Sequence, residues 1–382
     1  MKILHLISSC GMFGAERVLV NIAKNPSSEF EYAVCAVNNI HNPHLEILDV
    51  ARSMQIPVFS IDSRGKFDLS TIFALRNLIK KHNFSIINSH NYKSDVLAFF
   101  ATRMTKCKWV ATNHNWLSSD DKVKMFEALD TFCMRFADAL VAVSEGVKVE
   151  MVELGLSNKK IEIVDNGIDI EKFNVLKDKS CKNQLGIPEH NQVVTVVGRL
   201  CADKAYDVFL EAANIVLKER RDVTFLVVGD GELRHSLENI AREFHIEKDV
   251  IFTGIRKDMP QIYSITDVFV VCSRFEGLPM CLLEAMAAKC AIVATPIGAI
   301  PNLIHDRISG RVVGVGEVKV LAKIIFDMLS DEKTRSELAD AAYKIVVDGY
   351  SDKKMTKNYE VIYMALNHVG FRVKPAPRKG QG

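Results

Sequence analysis

The feature that most constrains this chain is a succession of short runs of strand length alternating with helical patterns, those of the second half being nearly unbroken in apolar character. In the first half they are Ile3–Ser8, Glu31–Val37, Ser85–His90, Lys108–Asn113, Ala139–Ser144 and Ile161–Asn166. In the second half they are Val193–Gly198, Thr224–Gly229, Val250–Gly254, Val268–Ser273 and Ala291–Thr295. A strand that is apolar at nearly every position must be covered on both faces, which is the mark of a parallel sheet sandwiched by helices. Amphipathic patterns over residues 69–81 and 122–137 supply such helices. The 382 residues are too many for one ordinary core. The polar, turn-rich stretch from Asn166 to Gln192 separates two series of strands. The expectation is α/β architecture with two doubly wound domains, residues 1–170 and 186–350, and a cleft between them. In sheets of this kind ligands bind beyond the carboxyl ends of the strands. The last residues, 374–382, carry proline, glycine and charge and are expected to form a disordered tail.

Composition narrows the classes. The formal net charge is +2, which implies no bulk attraction to nucleic acid. The nine cysteines are an odd, scattered set with no Cys-x-x-Cys, pointing to reduced thiols in a cytoplasm. The segment Leu6–Cys10 resembles a lipoprotein cleavage box. The apolar run before it is only about five residues long and contains His5, whereas a signal core needs about 7–15, so it reads as a buried first strand. No apolar run approaches the ~20 residues of a membrane span.

Four loops directly follow strands and carry chemistry-bearing residues. Ser9–Leu19 places Gly11 and Gly14 ahead of a helix start, whose unpaired amides attract phosphate or carboxylate. Gly198–Lys204 puts Arg199 and Lys204 on one short loop, a guanidinium fork plus an ammonium suited to a diphosphate; the plain alternative is a solvated charged loop. In Ser273–Ala287, Pro279 fits the first turn of a helix, so the amides from Leu278 to Leu282 lie at the positive end of its dipole. Glu276 precedes that helix and Glu284 lies one turn inside it. Ala111–Ser118 brings His114 off a strand, and His90 has similar placement with a weaker claim. A lone histidine is more often structural than catalytic. There is no Asp-x-Asp, no G-x-x-x-x-G-K-[ST] loop, no G-x-S-x-G elbow and no H-E-x-x-H helix, so metal–diphosphate, kinase, hydrolase and zinc readings lack their usual anchors.

Taken in order, "GAER", "NSHNY", "ATNH", "AVSEGV", "DNGID", "VGRL…DK", "FTG" and "FEGLPMCLLEAMA" resemble the retaining glycosyltransferases of family 4, which have the GT-B fold. The resemblance spans nearly the whole chain. It implies two Rossmann-like domains facing across a cleft, with a C-terminal helix over 351–370 returning to the first domain. It implies transfer of a sugar from a nucleoside diphosphate sugar, UDP-linked by expectation, to a glycan or lipid-linked glycan with retained configuration and without a metal or other cofactor. By position, Arg199 and Lys204 would grip the diphosphate, together with the loop and helix start Gly277, Leu278, Pro279, Met280, Cys281 and Leu282. Glu284 would bind the ribose, Glu276 and His114 the transferred sugar, and Ile255 and Arg256 would sit against the base. Gly14 would let the backbone approach the phosphates. Three positions depart from the family pattern. Phe13 stands where a second glycine is frequent, Ala205 follows Lys204 where glycine is usual, and Asp165 stands where proline is common.

Two rival functions remain at this stage: a nucleotide-sugar epimerase of the same architecture, and a silent nucleotide-sugar-binding subunit. Basic and apolar residues mix over Lys122–Leu140, where a helix could rest on an anionic membrane surface; an ordinary half-buried helix is the plainer reading. The expected location is cytoplasmic, peripheral to the inner face of the membrane.

Overall fold

The computed structural model describes residues 1–9, 11–12, 14–65, 68–114, 121–176 and 179–367, without the side chains of 121–127 and 179. Expectations about Cys10, Phe13, the side chains of Lys122 and Lys124, and the tail 374–382 lie outside the described residues.

The chain folds into two compact units, Met1–Asp165 with Lys353–Gly382, and Asn166–Asp352. The first holds seven strands: β1 (Lys2–Ile7), β2 (Glu31–Asn39), β3 (Val58–Ser63), β4 (Ile86–Ser89), β5 (Lys108–Asn113), β6 (Ala139–Ala142) and β7 (Ile161–Ile163). They form one parallel sheet in the order β3-β2-β1-β4-β5-β6-β7. The second unit holds β8 (Gln192–Val197), β9 (Val223–Val228), β10 (Val250–Gly254), β11 (Val268–Val271), β12 (Ala291–Ala294) and β13 (Arg311–Val312), again parallel, in the order β10-β9-β8-β11-β12-β13. The buried strands β1, β4, β6, β9, β11 and β12 match the apolar runs of the sequence because parallel strands have no wet face. The exceptions are edge strands. β3 alternates outward Ser60 and Asp62 with Ile61, and β13 is two residues long; neither carries an unbroken apolar run.

Each unit has its own core. Leu4, Leu6, Cys35, Ile87, Trp109 and Leu140 belong to the first, and Val194, Phe209, Phe225, Val270 and Ile325 to the second. The stretch Asn166–Gln192, which reads as a linker, carries two short helices, Ile170–Phe173 and Lys179–Gln184, and belongs to the second unit. The helix Asp352–Asn367 belongs to the first unit from Lys353 onward. Its Glu360 accepts hydrogen bonds from Ser27 N (2.7 Å), Ser27 Oγ (2.5 Å) and Tyr32 OH (3.4 Å), and its Tyr363 OH accepts from Asn88 Nδ2 at 2.8 Å.

In both sheets the order reverses about the first strand of the unit: β1 lies between β2 and β4, and β8 between β9 and β11. Crossovers leave to opposite faces at such a point, so the loops beyond the two neighbouring strands part and leave a crevice at their carboxyl ends.

Candidate active site

In the second unit that crevice lies beyond β8 and β11, and the two loops carrying Lys204 and Glu276 are the ones that flank it. The Lys204 ammonium pairs with the Glu276 carboxylate, and Ser273 Oγ donates to the same carboxylate oxygen at 2.9 Å. Both charged side chains are largely withdrawn from water, at 21% and 10% exposure. Burial alone pulls the Lys204 pKa down; the Glu276 carboxylate outweighs it and holds the ammonium above the ordinary lysine value. The lysine is therefore a fixed positive charge at neutral pH. Removing either partner would strand a shielded charge. Arg199, five residues earlier, is exposed on the same loop.

Several contacts hold these loops in register. Arg274 N donates to Asp203 O at 2.7 Å, and the Arg274 guanidinium reaches Ala202 O at 2.9 Å and Asp207 Oδ2 at 2.8 Å. Thr295 Oγ1 donates to Ser273 O, and Ala299 N to Gly277 O, both at 2.9 Å. Gly298, at φ 54°, lies so close to this loop that a Cβ would stand 2.1 Å from Glu276 O. At the other loop a Cβ on Gly198 would stand 2.7 Å from Tyr206 OH, a buried hydroxyl with no hydrogen-bond partner among the described residues. Arg274, Gly298 and Tyr206 escaped the sequence reading. The turn-forming Pro296–Gly298 directly after an apolar run was the available signal for Gly298; the other two depend on pairing distant in sequence.

The helix beyond Glu276 runs from Met280 to Ala287. Pro279 is the residue before it, at φ −71°, rather than inside its first turn. Its carbonyl already accepts from Leu282 N at 3.1 Å. Leu282 N, one of the amides expected at the positive end of the helix dipole, is thus already engaged within the helix. Glu284 is buried at 3% exposure, and Tyr263 OH donates to its Oε2 at 2.9 Å. Burial first, and the Glu284 charge second, hold the Tyr263 phenol well above its usual pKa, so it remains a donor. The two glutamates thus have separate partners, Glu276 in the inter-loop ion pair and Glu284 on the helix.

Beyond β10, Ile255 is 74% exposed, while the Arg256 guanidinium is held by Asp258 at 2.9 and 2.5 Å. In the first unit Gly14 opens the helix Gly14–Ala23, and no described atom lies within 4 Å of where its Cβ would be. His114 follows β5 and is half-buried, and burial lowers its pKa to about 4, so its imidazole is neutral at pH 7. No group of His, Cys, Asp and Glu among the described residues could hold a metal ion.

A crevice at the switch point of a doubly wound sheet, with a fixed ammonium, an exposed guanidinium and a helix start around it, is built for an anionic nucleotide-type ligand. The family model "Glycosyltransferase Family 4" matches residues 13–172 and "Glycosyl transferases group 1" matches residues 178–345. The chain belongs to this family of glycosyltransferases, as its motifs led one to expect. It is 25% identical, over 96% of its length and 97% of the relative's, to the UDP-Gal:alpha-D-GlcNAc-diphosphoundecaprenol alpha-1,3-galactosyltransferase of Escherichia coli. It is 24% identical, over 95% and 96%, to a Campylobacter jejuni alpha-1,4-N-acetyl-D-galactosaminyltransferase acting on a diphosphoundecaprenol-linked glycan. Anabaena HepE, solved with UDP and glucose, shares the fold at a TM-score of 0.83 over 95% of this chain and 99% of its own, with 22% identity.

Proposed function

We propose that the enzyme transfers a hexose, with retention of configuration, from a UDP-sugar to a lipid-linked glycan in the assembly of a bacterial surface polysaccharide. The observation that carries this reading is the shielded Lys204–Glu276 pair beside the start of the helix Met280–Ala287. The donor and acceptor classes are those named for the relatives. Arg199 and Lys204 hold the diphosphate with the loop amides of Gly277, Leu278, Met280 and Cys281. Glu284 takes the ribose hydroxyls, Glu276 and His114 the sugar hydroxyls, and Ile255 and Arg256 lie against the base. Gly14 admits phosphate oxygens close to the backbone.

In the reaction the acceptor hydroxyl oxygen bonds to the anomeric carbon on the face from which the diphosphate leaves. The bond from that carbon to the β-phosphate oxygen breaks, and the hydroxyl proton passes to a phosphate oxygen of the departing UDP. The fixed cations stabilise the charge that develops on the diphosphate, the part a metal plays elsewhere, so no metal is needed. A panel of nucleotide sugars, scored by thermal shift and by slow hydrolysis without acceptor, tests this: a UDP-hexose should raise the unfolding temperature most. Stabilisation by no nucleotide sugar would overturn it.

A lipid-linked acceptor supports the reading that the enzyme works peripherally at the cytoplasmic face of a membrane. No described helix is long and apolar enough to cross one. In support, the helices Tyr92–Thr102 and Asp121–Met134 and the residues just after them expose Phe100, Met104, Phe132 and Phe136, with Arg103, Lys106 and Arg135 exposed beside them. The Arg103 guanidinium stacks 4.5 Å from the Phe99 ring and 5.0 Å from Phe136. Exposed aromatic rings in contact with one another and with Arg103 suit an anionic lipid surface. Flotation with anionic but not neutral liposomes is the expected result, weakened in Phe132→Ser/Phe136→Ser; indifference to both lipids would contradict the contact.

A further inference from the structure

Three histidines of the first unit stand in line. His5 lies on β1, His90 directly follows β4, and His114 directly follows β5. β1 and β4 are neighbours with His5 opposite Asn88, and β4 pairs in turn with β5. His90 is fixed in place by the next helix: Asn91 and Ser94 form a capping box there, and His90 N donates to Ser94 Oγ at 3.1 Å. His5 Nδ1 is 3.0 Å from His90 Nε2, and His90 Nδ1 is 3.0 Å from His114 Nε2. Ring centroids are 5.3 Å apart at both steps. His5 and His90 are buried at 0% and 1% exposure. No step proposed for the reaction uses either of them.

We propose that His5 and His90 are positioning residues: their imidazoles fix the tautomer of His114, holding its proton on Nδ1 and occupying its Nε2 as an acceptor. The far end of the line sets the direction. Among the described residues His5 Nε2, which is buried, has no hydrogen-bond partner. If the protons ran from His114 toward His5, that atom would be a buried N–H donor with nothing to bond, and orphaned buried N–H groups are rare. With the protons running the other way it is only an unused lone pair. His5 Nδ1–H then donates to His90 Nε2, and His90 Nδ1–H to His114 Nε2. His114 is left with Nδ1–H as its donor, suited to the oxygen of a sugar hydroxyl. The line also resists protonation of His114, because a proton on Nε2 would have to reverse both hydrogen bonds and create the orphan on His5. Burial keeps His5 at a pKa of about 3; burial, and then the neighbouring His114 and His5, keep His90 well below the ordinary histidine value.

The sugar-facing role rests on the reading of His114 given above; the tautomer does not. Long-range proton–nitrogen correlation spectra of the full-length protein labelled with 15N-histidine read it directly. The expected result at pH 7.5 is His114 with its proton on Nδ1. In His90→Ala, His114 should gain the Nε2–H tautomer that free imidazole favours, and kcat should fall at least about tenfold with a smaller change in donor KM. His5→Phe, which keeps an aromatic ring but removes both nitrogens, should shift the His114 tautomer in the same direction. A purely structural role would lower stability and leave the His114 tautomer alone. An Nε2–H tautomer in the wild-type protein overturns the proposal whether or not the variants fold, and so does an unchanged tautomer in folded His90→Ala. Normal transfer by His114→Ala would overturn the sugar contact and leave the imidazole line standing.

Discussion

Ala205 holds a backbone conformation that suits a residue without a Cβ. It sits at φ 51°, ψ 43°, between the turn containing Lys204 and the helix Tyr206–Glu219. The left-handed region costs an L-residue about 1–2 kcal/mol, and glycine returns part of that gain through its looser unfolded chain. Ala205→Gly relieves that strain but removes a methyl buried at 1% exposure, worth about 0.8 kcal/mol. The two effects nearly offset, so stability in urea unfolding is expected to change by less than about 1 kcal/mol; a larger loss would contradict the assignment. Gly298 is the opposite case. With φ at 54° and its Cβ position 2.1 Å from Glu276 O, Gly298→Ala must push the Glu276 loop away. Its expected effect is loss of nucleotide-sugar affinity beyond any fall in stability, read by calorimetric titration; wild-type affinity would separate Gly298 from the site. Charged residues were the legible part at this scale, since Arg199, Lys204, Glu276 and Glu284 announce themselves by charge next to an apolar run. What orients them was not legible. Tyr263 meets Glu284, and Arg274 meets Asp207, only once the strands are paired. His5 reads in sequence merely as an interruption of an apolar run.

Elements were read well where they are buried on both faces and poorly at the sheet edges. β5 and β10 have the bounds expected from sequence, whereas β3, with Ser60 and Asp62 outward, has no continuous apolar signal. The helices Tyr92–Thr102 and Asp121–Met134 hide a further device. Asp95 and Asp130 are both buried, at 3% and 2% exposure, and share a hydrogen bond. Burial first, and the Asp130 carboxyl second, raise the Asp95 pKa well above the usual carboxylate value. The folded state then binds a proton that the unfolded chain releases near pH 4. The stability this lends is full below that point and is lost as pH rises toward the folded value. Asp95→Asn, which keeps a hydrogen-bonding group without the charge, should therefore raise the unfolding temperature at pH 8 by a few degrees and much less at pH 4.5. An equal shift at both pH values would refute the shared proton.

At the scale of the molecule, the chain builds the same device twice. Each unit is a parallel sheet whose order reverses about its first strand, and the residues assigned to chemistry follow the strands nearest that reversal: His90 and His114 after β4 and β5, Arg199 and Lys204 after β8, Glu276 after β11. The first unit is completed only by the returning helix Asp352–Asn367, whose Glu360 reaches Ser27 across 333 positions. Periodicity gave no access to that contact, and only the family resemblance suggested it. The central claim is that fixed cations grip the donor's diphosphate in the second unit. The most direct measurement is transfer of labelled hexose from its UDP-sugar to a diphospholipid-linked acceptor by the wild-type enzyme, Arg199→Ala and Lys204→Ala, each shown to be folded. Both variants should lose on the order of 10²-fold or more in turnover; near-normal turnover in both would contradict the account.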